Sequence, residues 1–595
     1  MVYIIRYQSG SGSVIISTIV SFFMDLILIK MQRSISIWQF CIFFAILASL
    51  GESHRLEGRV SEEEREKLMH PRHDYSKFRE TKQDPLPIED VNYWKSDAQD
   101  RLQKKLLAKP IEGIAKNVIF NLGDGMSVPT VTAARIFKGQ KVDDKPSFGE
   151  ESELHMDSFP FTGASKTYCV DGQVADSACS ATAYLSGVKA NDGTIGVTSN
   201  VLRRNCQAQA NSTNHVHSAL AWAQAAGKST GVVTTTRVTH ASPAGCYAHI
   251  ADRDWENDGK VEEDLQDPKV CPDIATQLIM SDPGRKINVI LGGGRSHFTP
   301  TTTRDPEFET VFGYRNDNVN LIEEWVASKN DSKASYVWGR DQLLSLDDDT
   351  EFVLGLFNPS HVAYYDLQAE QNDPSLEEMV EAAIKILSKN PNGFFLFVEG
   401  GRIDHAHHDN MIHRSLRETV EFDKAIKKGD DLTNDSDTLI VVTSDHAHVM
   451  YFAGYPERGN DILRYSDEMA YDGLPYATLG YGNGPGQSWL DETGTRRNIT
   501  NDNVENPGYQ TPAPVPNGSE THGGDDVLIF AKGPFAHLLT GVHQQSYIPH
   551  VVGFAACMGD GIKSDYCTGK SSAERNMSGF FSLIVILTLL FNKLY

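Results

Sequence analysis

Glu399-Gly400-Gly401-Arg402-Ile403-Asp404-His405-Ala406-His407-His408 packs two carboxylates and three imidazoles into one short stretch. Asp404 and His408 are four residues apart, so one helical turn brings both side chains to the same face. Oxygen and nitrogen donors at that spacing suit a zinc ion. The stretch follows Gly393-Phe394-Phe395-Leu396-Phe397-Val398, an apolar run that reads as a buried strand. Glu399 therefore sits where a strand ends.

Other reactive side chains stand in the same relation to other apolar runs. Asn117–Phe120 is followed by Asn121-Leu122-Gly123-Asp124-Gly125, whose glycines let the backbone turn tightly and present Asp124. Thr438–Val442 is followed by Thr443-Ser444-Asp445-His446-Ala447-His448, and His522 lies just before Val527–Phe530. Gly231–Val233 and Ile287–Leu291 are two further apolar runs. Continuous rather than alternating hydrophobicity means that both faces of each strand are covered, as in a parallel sheet flanked by helices. In such a sheet a ligand sits at the carboxyl ends of the strands. The spacing predicts an α/β fold, one large three-layer domain with a central, mostly parallel sheet, and a multi-metal centre on one sheet edge. One flanking helix is explicit: Ser375 and Glu378 form a capping box, and Leu376, Met379, Val380, Ala383, Ile384 and Leu387 form its apolar stripe.

Asp176-Ser177-Ala178-Cys179-Ser180-Ala181 opens an Ala-rich, helix-favouring segment. Ser177 falls at its start, where free backbone amides and the helix dipole favour an anionic ligand.

The whole chain sets the context. Its 595 residues are 40% hydrophobic and 23% charged, which is ordinary for a globular protein, and the net charge of -24 repels nucleic acid. Residues 1–51 read as an upstream extension and a secretory leader starting at Met31, with Cys41 lost on cleavage. Residues 52–109 form a charged N-terminal arm with a helix over Asp97–Lys109. Residues 110–450 and 521–570 make the catalytic core, interrupted over 451–520 by a loop-rich insertion. Residues 571–595 hold small residues, a polar spacer and an apolar run, Phe580–Phe591, too short to span a bilayer; this is the order of a GPI-attachment signal, with Ser571 as the expected attachment site. A secreted chain with eight cysteines implies disulfides. Cys557 and Cys567 are expected to pair, and Cys206 with Cys271 is a second expected pair, although spacing alone leaves the connectivity open. Glycosylation acceptors occur at Asn211, Asn330, Asn434, Asn498 and Asn517.

Asp176–Ala178, Asn121–Met126, Thr234–Gly245, Val398–His408, Thr443–His448 and Glu520–Asp526 together resemble the alkaline phosphatase family in its animal, GPI-anchored form. The resemblance covers roughly residues 110–560, with the motifs in the family's order. It implies extracellular hydrolysis of phosphate monoesters by a homodimer, with two zinc ions and one magnesium ion per subunit. Ser177 matches the nucleophile. Asp404, His408 and His522 match one zinc set; Asp124, Asp445 and His446, completed by Ser177, match the other. Asp124, Ser242 and Glu399 match the magnesium set, with His240 nearby. Arg253 matches the phosphate-binding arginine, and its neighbours Asp252 and Asp254 are expected to orient it. His405, His407 and His448 are expected to orient ligands rather than bind metal. Glu307, the Phe357 carbonyl and Asp373 match a calcium site, but Asn358 stands where the family's pattern has an acid. Tyr455 matches a residue that reaches the partner subunit's active site. The rival readings are a related metal-dependent phosphodiesterase or sulfatase, whose nucleophile is a Thr or a modified Cys, and a surface receptor role in addition to catalysis.

Overall fold

The computed structural model describes residues 89–567, apart from 145–146, 330–331, 487 and 493. The leader, the first part of the arm, Asn330 and the segment containing Ser571 lie outside the described residues. So do the apolar runs near both ends. No helix among the described residues is long and apolar enough to cross a membrane.

Ten strands build one sheet: β1 (Asn117–Gly123), β2 (Phe161–Lys166), β3 (Ser229–Arg237), β4 (Val289–Gly293), β5 (Ala334–Val337), β6 (Phe352–Leu356), β7 (Phe394–Gly400), β8 (Thr438–Thr443), β11 (Val527–Lys532) and β12 (Gly541–Gln544). Between β8 and β11, the two-residue strands β9 (Ala447–His448) and β10 (His522–Gly523) pair with each other, His522 opposite His448. The sheet order is β12-β2-β11-β8-β1-β7-β3-β4-β6-β5. Only β11 runs against the others, pairing antiparallel with β2 and β8. The chain thus has an α/β fold with a mostly parallel sheet.

The eight helices that matter here are α1 (Val91–Leu107), α2 (Val128–Phe137), α3 (Ser177–Ser186), α4 (Ala241–Ala244), α5 (Leu376–Leu387), α6 (Arg402–His408), α7 (Ile412–Asp431) and α8 (Ile548–Ala556). Helices α3 and α8 cover one face of the sheet and α2, α5 and α7 the other, whereas α1 buries none of its residues. Val118, Phe120 and Leu122 of β1 pack in one cluster with Ala178 and Tyr184 of α3 and Val552 of α8. Ile119 packs on the other side with Val131 of α2, Met379 of α5 and Leu416 of α7. Each fully buried Val, Leu or Ile contributes about 1.5–3 kcal/mol, so the two clusters fix the strand register firmly. The helix expected after Ser375 is α5, with its capping box formed and its whole apolar stripe buried. The arm helix starts earlier than expected, at Val91, because Asp90 caps the N–H groups of Asn92 and Tyr93.

Residues 451–520 hold short ribbons, among them Met450–Phe452 with Leu479–Tyr481 and Tyr465–Met469 with Pro475–Ala477. Both expected disulfides are formed, and a third joins Cys169 to Cys179. Cys179 lies in the first turn of α3, so that bridge ties the start of the Ser177 helix to the preceding loop. Cys246 is free and buried.

Candidate metal and nucleophile centre

Four parallel strands deliver the site. β1 leads into Asp124, β7 carries Glu399 and leads into α6, β3 leads into His240 and Ser242, and β8 leads into Asp445 and His446. Leu122 and Glu399 are register partners, as are Thr234 and Glu399 and Leu122 and Thr443, so the strands end at one level. Gly125, just after β1, has φ +65°, and a Cβ there would lie 2.4 Å from His448 Nε2. Glycine is needed both for the left-handed turn and for the close approach.

On α6, Asp404 and His408 do share a face. His408 Nε2 and His522 Nε2 are 3.0 Å apart, and each is 3.4 Å from Asp404 Oδ1. His408 Nδ1 donates to the Glu520 carbonyl at 2.6 Å and His522 Nδ1 donates to the Ala175 carbonyl at 2.8 Å. Each ring has thus committed its proton outward, and two lone pairs converge on one point beside a carboxylate. A metal cation between them would relieve that arrangement. His448 also lies in this cluster. It differs because both its nitrogens face carboxylates, Nε2 to Asp404 Oδ1 at 2.7 Å and Nδ1 to Glu520 Oε2 at 2.5 Å. Burial opposes charge on His448, but Glu520 and Asp404 outweigh it and push its pKa up to about 10. A doubly protonated ring has no lone pair for a metal. Burial would raise the Asp404 pKa, yet the nearby His408 and the hydrogen bond from His448 hold it well below the usual carboxylate range.

A second cluster surrounds the nucleophile candidate. Ser177 Oγ is 3.2 Å from His446 Nε2, which is 3.1 Å from Asp445 Oδ2 and 3.6 Å from Asp124 Oδ1. Asp124, Glu399 and His240 form a third cluster. There Glu399 Oε2 accepts from Thr234 and Thr236, and Ser242 stands beside it. Both Asp124 oxygens, Glu399 Oε1 and Asp445 Oδ2 are buried and make no hydrogen bond among the described residues. Burial, with Asp445, Asp404 and Glu399 close by, pushes the Asp124 pKa well above its ordinary value. Burial likewise pushes Glu399 up to about 7, against the pull of Thr234, Ser242 and Thr236. Three carboxylates removed from water, with four bare oxygens turned inward, fit divalent cations.

Arg253 is held beside this centre. Its Nη1 donates to Asp176 Oδ2 at 3.0 Å, and its Nη2 lies 3.2 Å from His240 Nε2. Burial, then Arg253 and Arg237, push the His240 pKa down to about 3, so the ring is neutral and accepts from Arg253. Asp252 and Asp254 do not orient Arg253, contrary to the expectation from their adjacency. Asp252 is taken by Arg203 and Arg204, and Asp254 by Arg203, in the turn that carries Arg253. Asp176 does the orienting instead. Its other oxygen caps α3 by accepting from Cys179 N–H.

The three remaining histidines of the opening stretch and its surroundings divide by partner. His448 hydrogen-bonds Asp404 directly. His405 sits between Arg402, which donates to it at 2.9 Å, and the rings of His240 and His361. His407 bonds Thr130 and Tyr481, and packs on the ring of His448. In the calcium set, Glu307 is ion-paired to Arg295 at 2.6 Å, and Asp373 accepts from Ala363 N–H and Asn358 Nδ2. The buried Phe357 donates its N–H to Gly292. Asn211, Asn434, Asn498 and Asn517 are exposed, as is Tyr455. Sequence reasoning missed Glu520, Thr234, Thr236 and the second role of Asp176. The one legible signal was Glu520's place two residues before His522.

The family model for alkaline phosphatase matches residues 115–558. The membrane-bound alkaline phosphatase of Bombyx mori is 47% identical over 79% of this chain and 86% of its own length. An alkaline phosphatase of Gadus morhua is 48% identical over 80% of this chain and 98% of its own. The Thermus thermophilus alkaline phosphatase structure shares the fold, with a TM-score of 0.54 at 21% identity, over 82% of this chain and 99% of that one. This chain belongs to the alkaline phosphatase family. It is a hydrolase of phosphate monoesters that uses divalent metal ions.

Proposed function

We propose that this enzyme works outside the cell through a phosphoserine on Ser177, with two zinc ions and one magnesium ion at the strand ends. The observation that supports this most is the convergence of Ser177 Oγ, His446 Nε2 and the bare oxygens of Asp124 and Asp445 beside Arg253. Asp404, His408 and His522 would hold one zinc, and Asp124, Asp445 and His446, with Ser177, the other; imidazole and carboxylate together suit that ion. Asp124, Ser242 and Glu399 offer only oxygen and would hold magnesium. Bound there, the cations would lower the pKa of the serine hydroxyl and of water, and offset charge on oxygens that gain it.

The chain's own groups do the rest. Ser177 Oγ, having lost its proton, attacks phosphorus, and the bond from phosphorus to the ester oxygen breaks. The leaving oxygen keeps the electron pair and takes a proton. Arg253 holds two phosphoryl oxygens in its planar fork, braced by Asp176 and His240. Water then attacks the phosphoserine from the opposite side, the phosphorus–Oγ bond breaks, and Ser177 recovers its proton. The calcium set suits a cation less well than the other sets. Asn358 Oδ1 accepts from Ser360 N–H, so its Nδ2 is turned toward Asp373, and Glu307 is already neutralised by Arg295.

The relative named as membrane-bound, the expected GPI signal and the exposed glycosylation acceptors support an anchored, extracellular enzyme. The exposed Phe452, Tyr455 and Met469 support a homodimer formed through residues 451–520. The test uses protein released from expressing cells by a phosphatidylinositol-specific phospholipase C, sized by sedimentation and given a monoester, a diester and a sulfate ester. A dimer that prefers the monoester and stops when zinc is chelated is expected. Retention on the cells after lipase treatment, a monomer, or a diester preference would refute the corresponding part.

A further inference from the structure

We infer that Glu520 is the positioning residue that fixes the geometry of the zinc set Asp404, His408 and His522; the inference rests on the zinc reading proposed above. Glu520 is 112 residues from His408 in sequence yet meets it twice, its carbonyl accepting from His408 Nδ1 at 2.6 Å and its N–H donating to the His408 carbonyl at 2.9 Å. The first bond leaves the lone pair of His408 on Nε2, the nitrogen that faces His522. The buried Glu520 side chain then reaches Asp404 through His448. Oε2 accepts from His448 Nδ1 at 2.5 Å, and His448 Nε2 donates to Asp404 Oδ1 at 2.7 Å. Oε1 is also satisfied, accepting from Val449 N–H at 2.7 Å. His522, the third member, follows two residues later and is held opposite His448 by the β9–β10 pairing.

One residue therefore bears on all three ligands. Its backbone sets the His408 ring, its side chain sets Asp404 by way of His448, and its chain position sets His522. The chemistry asks for a carboxylate. Two N–H donors, from His448 and Val449, point at its two oxygens, so glutamine would turn an NH2 toward one of them. Partners behind metal ligands commonly change metal affinity by 10–100-fold.

The experiment measures metal content per chain, and the rate of zinc loss to EDTA, in the purified holoenzyme and in its Glu520→Ala and Glu520→Gln variants. Melting of each metal-free protein is recorded alongside. The expected result is zinc loss roughly 10–100-fold faster in Glu520→Ala, with magnesium content unchanged and metal-free melting close to the parent. Glu520→Gln, which keeps the size and one acceptor, is expected to lose zinc faster than the parent but more slowly than Glu520→Ala, and it decides the matter if Glu520→Ala does not fold. Zinc loss at the parent rate in Glu520→Gln overturns the inference, as does a metal-free melting loss that accounts for all the zinc lost. A His522→Ala control separates the two readings. If it too keeps the full zinc content, the zinc assignment fails and not the role of Glu520 alone.

Discussion

Asp176 accepts from Cys179 N–H with one oxygen and from Arg253 with the other, so the residue before the proposed nucleophile both caps α3 and aims the guanidinium proposed to grip phosphate. Replacing Arg253 removes the grip and leaves the cap. Arg253→Ala is expected to raise KM for a monoester, and the inhibition constant of inorganic phosphate, by roughly 10–100-fold, the worth of charge-assisted hydrogen bonds. Unchanged phosphate inhibition would contradict the assignment. Arg253 was legible in the sequence through its motif, but its partner was not. The flanking acids looked closer, and Asp176 lies 77 residues away, joined only by the folded chain. Similarly, spacing alone does not divide the stretch Glu399–His408, and only the family resemblance puts Glu399 in one ligand set and Asp404 with His408 in another. In the structure Glu399 faces Asp124 and His240, while Asp404 and His408 face His522, because Glu399 ends β7 and the other two lie a turn further on in α6.

At the level of elements, the turn after β1 carries the tightest steric demand. Gly125→Ala puts a methyl against His448 and a side chain into left-handed backbone, which costs about 1–2 kcal/mol before His448 moves at all. Denaturant unfolding of the variant should show at least that loss, together with weaker zinc retention, since His448 supports Asp404. Full stability and full zinc content would refute the steric account. The central strands were readable because burial on both faces leaves a continuous apolar run. The outer strands were not. β2, β5 and β12 lie at or near the ends of the sheet and are largely half-exposed or exposed, so their sequences carry polar residues and no clear period. β6 is apolar and buried, but its five residues with a central Gly355 are too few to stand out.

For the whole molecule, the centre is a stability problem that metal solves. Asp124, Glu399, Asp404 and Asp445 are buried together, and without cations the burial and repulsion felt by Asp124 and Glu399 are met by protonation. Glu399, pushed up to about 7, holds a proton more tightly folded than unfolded. Its contribution to the metal-free protein is therefore present below the ordinary glutamate range and is lost as pH rises toward about 7, a few kcal/mol in all. Asp124 shifts in the same direction. The melting temperature lost on EDTA treatment should accordingly be larger at pH 8 than at pH 5. An equal or smaller loss at pH 8 would count against a carboxylate-built metal centre. The most direct test of the central claim is to trap phosphate on the enzyme at acidic pH with a labelled monoester and locate it by mass spectrometry. Label on Ser177 in the parent, and none in a Ser177→Ala variant that keeps its metals, is the predicted result. Label on another residue, or in the variant, would contradict it.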